Sequence, residues 1–229
     1  LVRAKVAAIR ARQSDAGTEA TTAAVAAARR IALALALAQP PRPRLLLTCG
    51  LSGSGKSTVA RRLAESLGAV CVRADVERKR LHGLAPTARP ADPGRLYAAG
   101  ATQRTYARLA TVARWAIEGD VNLVVDAAFL RRNERNALRA RARSLGAAAT
   151  IVECTAPAPV LRERLARRAT EGRDPSDATA EVLALQQRVR EPLALDEGAV
   201  TLDTDAPPAE VAARVDALVA RLAGSRPGA

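Results

Sequence analysis

Aromatic side chains are almost missing from this sequence: one Trp, two Tyr and one Phe in 229 residues, or 2%. Proteins that hold single strands of nucleic acid stack bases on aromatic platforms, and four rings offer little for that. Methionine is absent, and Lys5, Lys56 and Lys79 are the only lysines among 36 basic residues. The core must therefore be built mostly from Ala, Leu and Val, and the Arg excess reads as a genomic base-composition bias. That bias tempers the net charge of +13, which would otherwise argue for a polyanionic partner. No compact Lys/Arg tract accompanies it, so a solvated, Arg-rich surface is the simpler reading, and nucleic acid is not the favoured partner.

Histidine is also scarce. His82 stands alone, which excludes a His-based metal site and a Ser-His-Asp triad. Cys49, Cys71 and Cys154 each sit in a short apolar run with no CxxC spacing. They read as buried, reduced thiols of an intracellular, cytoplasmic protein. A bilayer-spanning run is lacking too. The signal-like "RRIALALALAQP" from Arg29 to Pro40 is internal, and its apolar part, Ile31 to Ala38, is far too short. It reads as the end of a helix.

What is present organises in two parts. The Ala-rich stretch from Ala20 to Gln39 favours helix, and "PPRP" at Pro40 to Pro43 stops it. Residues 1–43 are thus expected to be a helical appendage with a stiff linker. The chain starts at Leu1 in mid-helical pattern, "LVRAKVAAIRAR", as a fragment of a longer protein would. Residues 44–229 are expected to form the main domain, since 48% hydrophobic content over this length can build one sizeable core. Short apolar runs there alternate with longer helical patterns. Strands are expected at Leu45 to Cys49, Ala69 to Arg73, Asn122 to Asp126, Ala148 to Cys154 and Ala199 to Asp203. Helices are expected near 56–67, 76–82, 94–118, 131–145, 157–169, 177–190 and 207–223. Such a series predicts an α/β fold of three layers, with a five-stranded parallel sheet and helices on both faces.

The strongest motif is "CGLSGSGKST", Cys49 to Thr58, which matches GxxxxGK[ST] at a strand-to-helix turn. Gly50, Gly53 and Gly55 let the backbone turn tightly, so that N–H groups of Leu51, Ser52, Ser54 and their neighbours can face an anion. The helix beginning near Lys56 adds the positive end of its dipole. Lys56 would reach the β and γ phosphates, the Ser57 hydroxyl would ligate Mg²⁺, and Thr58 completes the loop. The third strand, "NLVVDAAFL", delivers Asp126 beside that metal. Motor ATPases place a water-activating Glu next, whereas Ala127 and Ala128 follow here, so the site is not built for hydrolysis. No NKxD guanine-reading motif is present.

The second strand runs into "RADVERKRL", with Asp75 and Arg78 three apart at the start of a helix. At the carboxyl edge of a parallel sheet a carboxylate can take the proton of an attacking hydroxyl, and an Arg can hold the substrate or the moving phosphoryl group. The alternative for Asp75 is a helix cap, and for Glu77, Arg78 and Lys79 a solvated helix face. From Leu161 to Arg173 the chain reads "LRERLARRATEGR", an Arg-rich helix entering a Gly/Pro turn, as a helical lid would. Arg164 and Arg168 share one helical face, with Arg167 beside them and Arg173 beyond; these are the candidates to offset phosphate charge. "LDTDAPP" after the fifth strand could wall the adenine, and residues 82–114 are expected on the acceptor side.

Together "GLSGSGKST", "RADVERKRLHGL", "VVDAAFLRRNER" and "RERLARRATEGRDPSDA" resemble the P-loop kinases, the group of polynucleotide kinases, gluconate kinases, chloramphenicol phosphotransferase and zeta toxins. They also resemble bacterial AAA-family ATPase-like kinases, whose P-loop domain often follows an aminoglycoside-phosphotransferase-like domain; residues 1–38 would be the tail of such a domain. The resemblance covers about residues 44–223. It implies ATP with Mg²⁺ at Ser57 and Asp126, and phosphate binding from Gly50 to Thr58. It further implies Asp75 as general base, Arg78 as a phosphate-holding residue, and transfer to a hydroxyl acceptor, a small molecule rather than a nucleic acid 5′-hydroxyl. Many relatives carry a polar residue where Ala128 stands, which bears on acceptor contacts. A nucleotide-binding regulatory module, or an ATPase without an acceptor, is the alternative.

Overall fold

Leu- and Val-rich runs too short for helices fold as strands when helices can cover both their faces. In the computed structural model, which describes residues 2–13, 18–38, 42–88, 93–171, 175–176 and 178–224, they form β1 (Arg44–Cys49), β2 (Val70–Arg73), β3 (Leu123–Asp126), β4 (Ala148–Thr155) and β5 (Val200–Asp203). All pairs are parallel, in the order β2-β3-β1-β4-β5. The chain leaves β1 toward β3 and β2 on one side and later reaches β4 and β5 on the other. The carboxyl end of β1 is therefore a switch point, where open α/β sheets bind ligands.

Eight helices among the described residues follow the strands: α3 (Lys56–Leu67), α4 (Ala74–Leu81), α5 (Pro93–Tyr97), α6 (Ala99–Glu118), α7 (Arg132–Ser144), α8 (Ala158–Glu171), α9 (Ala180–Val189) and α10 (Pro208–Gly224). Alternation along β1 separates two cores. Leu45, Leu47 and Cys49 pack with Leu109, Ala113 and Ile117 of α6 and Leu138 and Ala142 of α7. Leu46 points the other way, to Val59 and Leu63 of α3 and Val215 and Leu218 of α10. These are the three layers. Leu161 and Leu165 of α8 and Leu183 of α9 make a separate small cluster that takes in Leu51 of the glycine-rich loop.

The one helix expected over 94–118 is two. Ala98 has ψ 149°, an extended value that ends α5 and leaves Tyr97 beneath the Arg78 guanidinium, 4.8 Å from its ring centre. Cys71 departs from expectation as well: it is exposed, while Cys49 and Cys154 are buried. The reason is that β2 is an edge strand, paired with β3 alone.

The chain divides into two compact units, Leu1–Pro41 and Arg42–Ala229. In the first, α1 (Val2–Gln13) and α2 (Thr18–Ala38) pair as a hairpin with Ala4, Ala7 and Ala27 buried. The expected stop at Pro40 and Pro41 lies outside the described residues. No described helix is long and apolar enough to cross a membrane.

Candidate functional site

The turn from β1 into α3 is set by glycines that no other residue could replace without strain. Gly50 has φ 133°, and a Cβ there would lie 2.4 Å from the Cys154 carbonyl oxygen of β4. Gly53 has φ 85°, and its Cβ would lie 2.7 Å from the Leu161 oxygen of α8. The loop is thus wedged between neighbouring backbones, and only hydrogen atoms fit at those points. It is also bonded across the sheet edge: the Gly50 N–H donates to Ala128 O after β3 (3.0 Å). Thr204, just past β5, is buried with its hydroxyl shared between Ser54 O (3.1 Å) and Thr155 O (3.0 Å). The Lys56 ammonium donates to Leu51 O (2.7 Å), folding back over the loop. Desolvation pulls its pKa below the ordinary lysine value, while Asp126 and Asp75 act in the opposite direction.

Three matched residues cross the sheet at its carboxyl edge. Asp126 is the register partner of Thr48 on one side and of Arg73 on the other. Thr48 Oγ1 lies 3.4 Å from Asp126 Oδ1. Arg73 Nε lies 3.1 Å from Asp126 Oδ2, and its Nη2 donates to Ser57 Oγ (3.2 Å). One guanidinium therefore spans the two residues expected to ligate Mg²⁺. Both donate oxygen, the atom a hard divalent ion takes, and a cation already sits against them, so the residues fit Mg²⁺. Among the described residues no cluster of three His, Cys, Asp or Glu could hold a metal by itself.

Asp75 opens α4 and receives the Arg78 guanidinium at 2.5 Å. Arg78 is 8% exposed, sandwiched between that carboxylate and Tyr97, so it is not on the solvated helix face that was one alternative. Glu77 is likewise buried, ion-paired with Arg80 and, at 3.1 Å, with Arg108 of α6.

A cleft of about 680 Å³ collects these groups. It is lined by Ser52, Gly53, Gly55, Lys56 and Ser57 of the loop and by Asp75, Arg78 and Asp126. Arg168 of α8 also lines it and lies close enough for its charge to lower the Lys56 pKa. Arg164 does not join its helical neighbour in the cleft. It donates to Thr204 O (2.7 Å), Thr204 Oγ1 (3.1 Å) and Gly53 O (3.3 Å), latching α8 to the loop. The expectation that both arginines face the phosphates is corrected for Arg164: carbonyls and a hydroxyl within reach of its guanidinium hold it at the loop's flank. Arg173 lies outside the described residues.

Several lining residues escaped the sequence reading. Tyr97, Thr102, Gln103 and Tyr106 fall within 82–114, the stretch expected on the acceptor side, but Asn133 and Glu134 of α7 do not. Glu134 accepts the Arg131 N–H (3.2 Å), a capping contact that its place at the third helical position could have signalled. Burial raises its carboxyl pKa. The Tyr106 hydroxyl accepts the Phe129 N–H (3.1 Å) and is paired with Glu134. Gln186 of α9 accepts the Ser52 N–H (2.8 Å), a contact that nothing in the sequence announces.

Residues 45–193 match the family model described as an AAA domain. Among curated proteins, "Uncharacterized protein Rv2004c" of Mycobacterium tuberculosis (strain ATCC 25618 / H37Rv) and "Uncharacterized protein Mb2027c" of Mycobacterium bovis are each 32% identical over 187 residues. The match takes in 80% of this chain but 36% of theirs, so the chain spans about a third of the length of these relatives. Among solved structures, a sugar kinase from Janibacter sp. HTCC2649 superposes with a TM-score of 0.58 at 22% identity, over 78% of this chain and 95% of its own. The Mycobacterium tuberculosis APS kinase CysC, in complex with AMPPNP and APS, gives 0.58 at 22% over 79% and 99%. A gluconokinase from Sinorhizobium meliloti 1021 gives 0.55 at 24% over 80% and 95%. The fold is that of the P-loop kinases.

Proposed function

Given that the chain belongs to the AAA domain family and carries a P-loop kinase fold, we propose that it is an ATP-dependent phosphotransferase acting on the hydroxyl of a small molecule. One observation carries this reading: a single cleft holds the phosphate loop, Asp126 and, a few residues along the same sheet edge, Asp75. The loop from Gly50 to Thr58 and Lys56 bind the β and γ phosphates of ATP, through amides other than those of Gly50 and Ser52, which are bonded to Ala128 and Gln186. Ser57 and Asp126 hold Mg²⁺, which when bound neutralises charge on those phosphates. Asp75 orients the acceptor hydroxyl and takes its proton, and Arg78, fixed by Tyr97, keeps the carboxylate aimed. Arg168 faces the phosphates from α8 and offsets charge that develops on transfer. Arg164 acts one step back, by holding α8 against the loop. Such catalysis is largely positioning and charge stabilisation, so no further reactive group is required.

The neighbours named as sugar kinase, gluconokinase and APS kinase support a small acceptor, and Ala127 and Ala128 in the lining leave no carboxylate directly after Asp126 to activate water. Residues 1–43 are, in the same reading, an appendage outside the phosphotransfer unit. The test is labelled ATP with a panel of sugars, antibiotics, nucleosides and 5′-hydroxyl oligonucleotides. Transfer to a small molecule is expected, abolished by Lys56→Ala. Asp75→Asn should keep ATP binding and lower turnover by about 10²-fold or more. Nucleotide binding with no transfer to any acceptor would favour a regulatory module instead, and unchanged turnover in Asp75→Asn would remove that residue as base.

A further inference from the structure

Arg73 closes β2 and has no part in the chemistry above, yet it occupies its central position. Its Nε lies 3.1 Å from Asp126 Oδ2 and its Nη2 3.2 Å from Ser57 Oγ. The Asp126 side chain is 5% exposed and that of Arg73 27%, so the carboxylate is shielded from solvent, where it needs a cation beside it. The register fixes the pairing: Arg73 and Asp126 are direct partners on parallel strands, and their side chains leave the sheet on the same side. Ser57 is brought up from below by the first turn of α3. The planar guanidinium reaches both oxygens at once, by an ion-pair contact to Asp126 and a hydrogen bond to Ser57, a span that a lysine ammonium matches poorly.

We propose that Arg73 is a built-in competitor of the divalent cation: guanidinium and metal ion contend for the same Ser57 and Asp126 oxygens, and metal binding transfers both from Arg73 to the ion. The inference rests on the phosphotransferase reading, since it takes Ser57 and Asp126 as the metal ligands. An ion that wins these oxygens leaves Arg73 among the residues that line the cleft, as Asp75 and Arg78 do. On the phosphotransferase reading the same cleft takes the acceptor, so that charge acts within the acceptor's cleft. Metal occupancy and charge in the acceptor's cleft are thereby coupled through one side chain, and coupling of this kind is reciprocal. Arg73 is a positioning residue for the metal site, not a catalytic one.

The experiment measures Mn²⁺ binding to the full chain with saturating ADP, by the loss of the free-ion electron paramagnetic resonance signal, in wild type, Arg73→Gln and Arg73→Lys. ADP affinity without metal is measured alongside with a fluorescent analogue. Losing a charge-assisted contact with a buried carboxylate should tighten Mn²⁺ binding by about tenfold in Arg73→Gln. Arg73→Lys, which keeps the charge but not the fork, should fall between it and wild type and guards against a folding defect in the Gln variant. Mn²⁺ affinity equal to or weaker than wild type in both variants, with ADP binding retained, would overturn the proposal. Failure of wild type to bind ADP at all would instead overturn the reading of the site, and this inference with it.

Discussion

Cysteine shows at single-residue scale how strand position decides chemistry that sequence context cannot. All three thiols sit in similar apolar runs, yet β1 and β4 are interior strands and β2 is an edge. Burial pushes the Cys49 and Cys154 thiols up to about 12. Cys71 is exposed, though desolvation by its neighbours and the Asp126 carboxylate still raise it to about 11. The thiolate is the nucleophile, and one unit of pKa is a tenfold difference in thiolate at a given pH. Maleimide at mildly alkaline pH should therefore modify Cys71 slowly in the native protein, and Cys49 and Cys154 only after denaturation. Peptide mass mapping over time reads this directly. Early modification at Cys154 would mean that β4 is not covered as described.

Elements are held around the cleft by a contact equally hidden from sequence. Arg135 in the first turn of α7 and Glu197 in a single 3-10 turn before β5 form a doubly bonded pair, Nε to Oε2 at 2.6 Å and Nη2 to Oε1 at 2.8 Å. The side chains are 2% and 0% exposed. Arg135 Nη1 also donates to Phe129 O (3.1 Å) and Leu130 O (3.3 Å), and to Glu191 O (3.3 Å), so the loop after β3 and the segment after α9 meet on one guanidinium. The hydrogen bond from Arg135 is the main cause that holds the Glu197 pKa below its ordinary 4.5. A depressed carboxyl contributes stability above its unfolded value, and that contribution is lost as pH falls through the lower folded value. Glu197→Gln should thus be destabilised at neutral pH and converge on wild type in acid, by denaturant melts across pH. Arg135→Leu, which strands a buried carboxylate, should cost about 3–5 kcal/mol, whereas the joint Arg135→Met/Glu197→Leu change should cost far less. Equal stability of Glu197→Gln and wild type at neutral pH would refute the staple. The sequence was most legible where the signal is local. All five strands and the phosphate loop follow from apolar runs and from glycine spacing, and Asp75 and Asp126 from their places at strand ends. Arg73, Arg135 and Gln186 were not legible, because each draws its meaning from a partner brought near only by the fold. Arg164 and Arg168 share a helical face in sequence terms, but Thr204, forty residues on, separates their roles.

For the whole molecule the net charge of +13 must be set against where the charges and rings lie. Surface arginines of the second unit are repeatedly paired: Arg62 with Asp216 at 2.6 Å, Arg190 with Glu153 at 2.6 Å, Arg114 with Glu118 at 3.0 Å, and Arg132 with Asp196. The four aromatic rings are all engaged. Phe129 is buried against Tyr106, with ring centres 5.2 Å apart; Tyr97 lies under Arg78, and Trp115 under Arg108 at 5.0 Å. A stacked base contributes about 1–3 kcal/mol on an aromatic platform, and of these rings only Trp115, half exposed beside the Arg108 guanidinium, leaves much of its surface to solvent. Binding of a single-stranded oligonucleotide would then rest chiefly on counterion release. With roughly six to ten phosphate contacts such binding weakens by about 10³–10⁵ between ~50 and ~200 mM salt. Fluorescence anisotropy with a labelled 5′-hydroxyl oligomer should accordingly show binding that disappears over that range, whereas phosphoryl transfer to a small acceptor should persist. Tight binding retained at the higher salt would require base contacts beyond what one half-exposed ring supplies. It would move the acceptor from small molecules to nucleic acid ends, and the unpaired share of the positive charge would become part of the site.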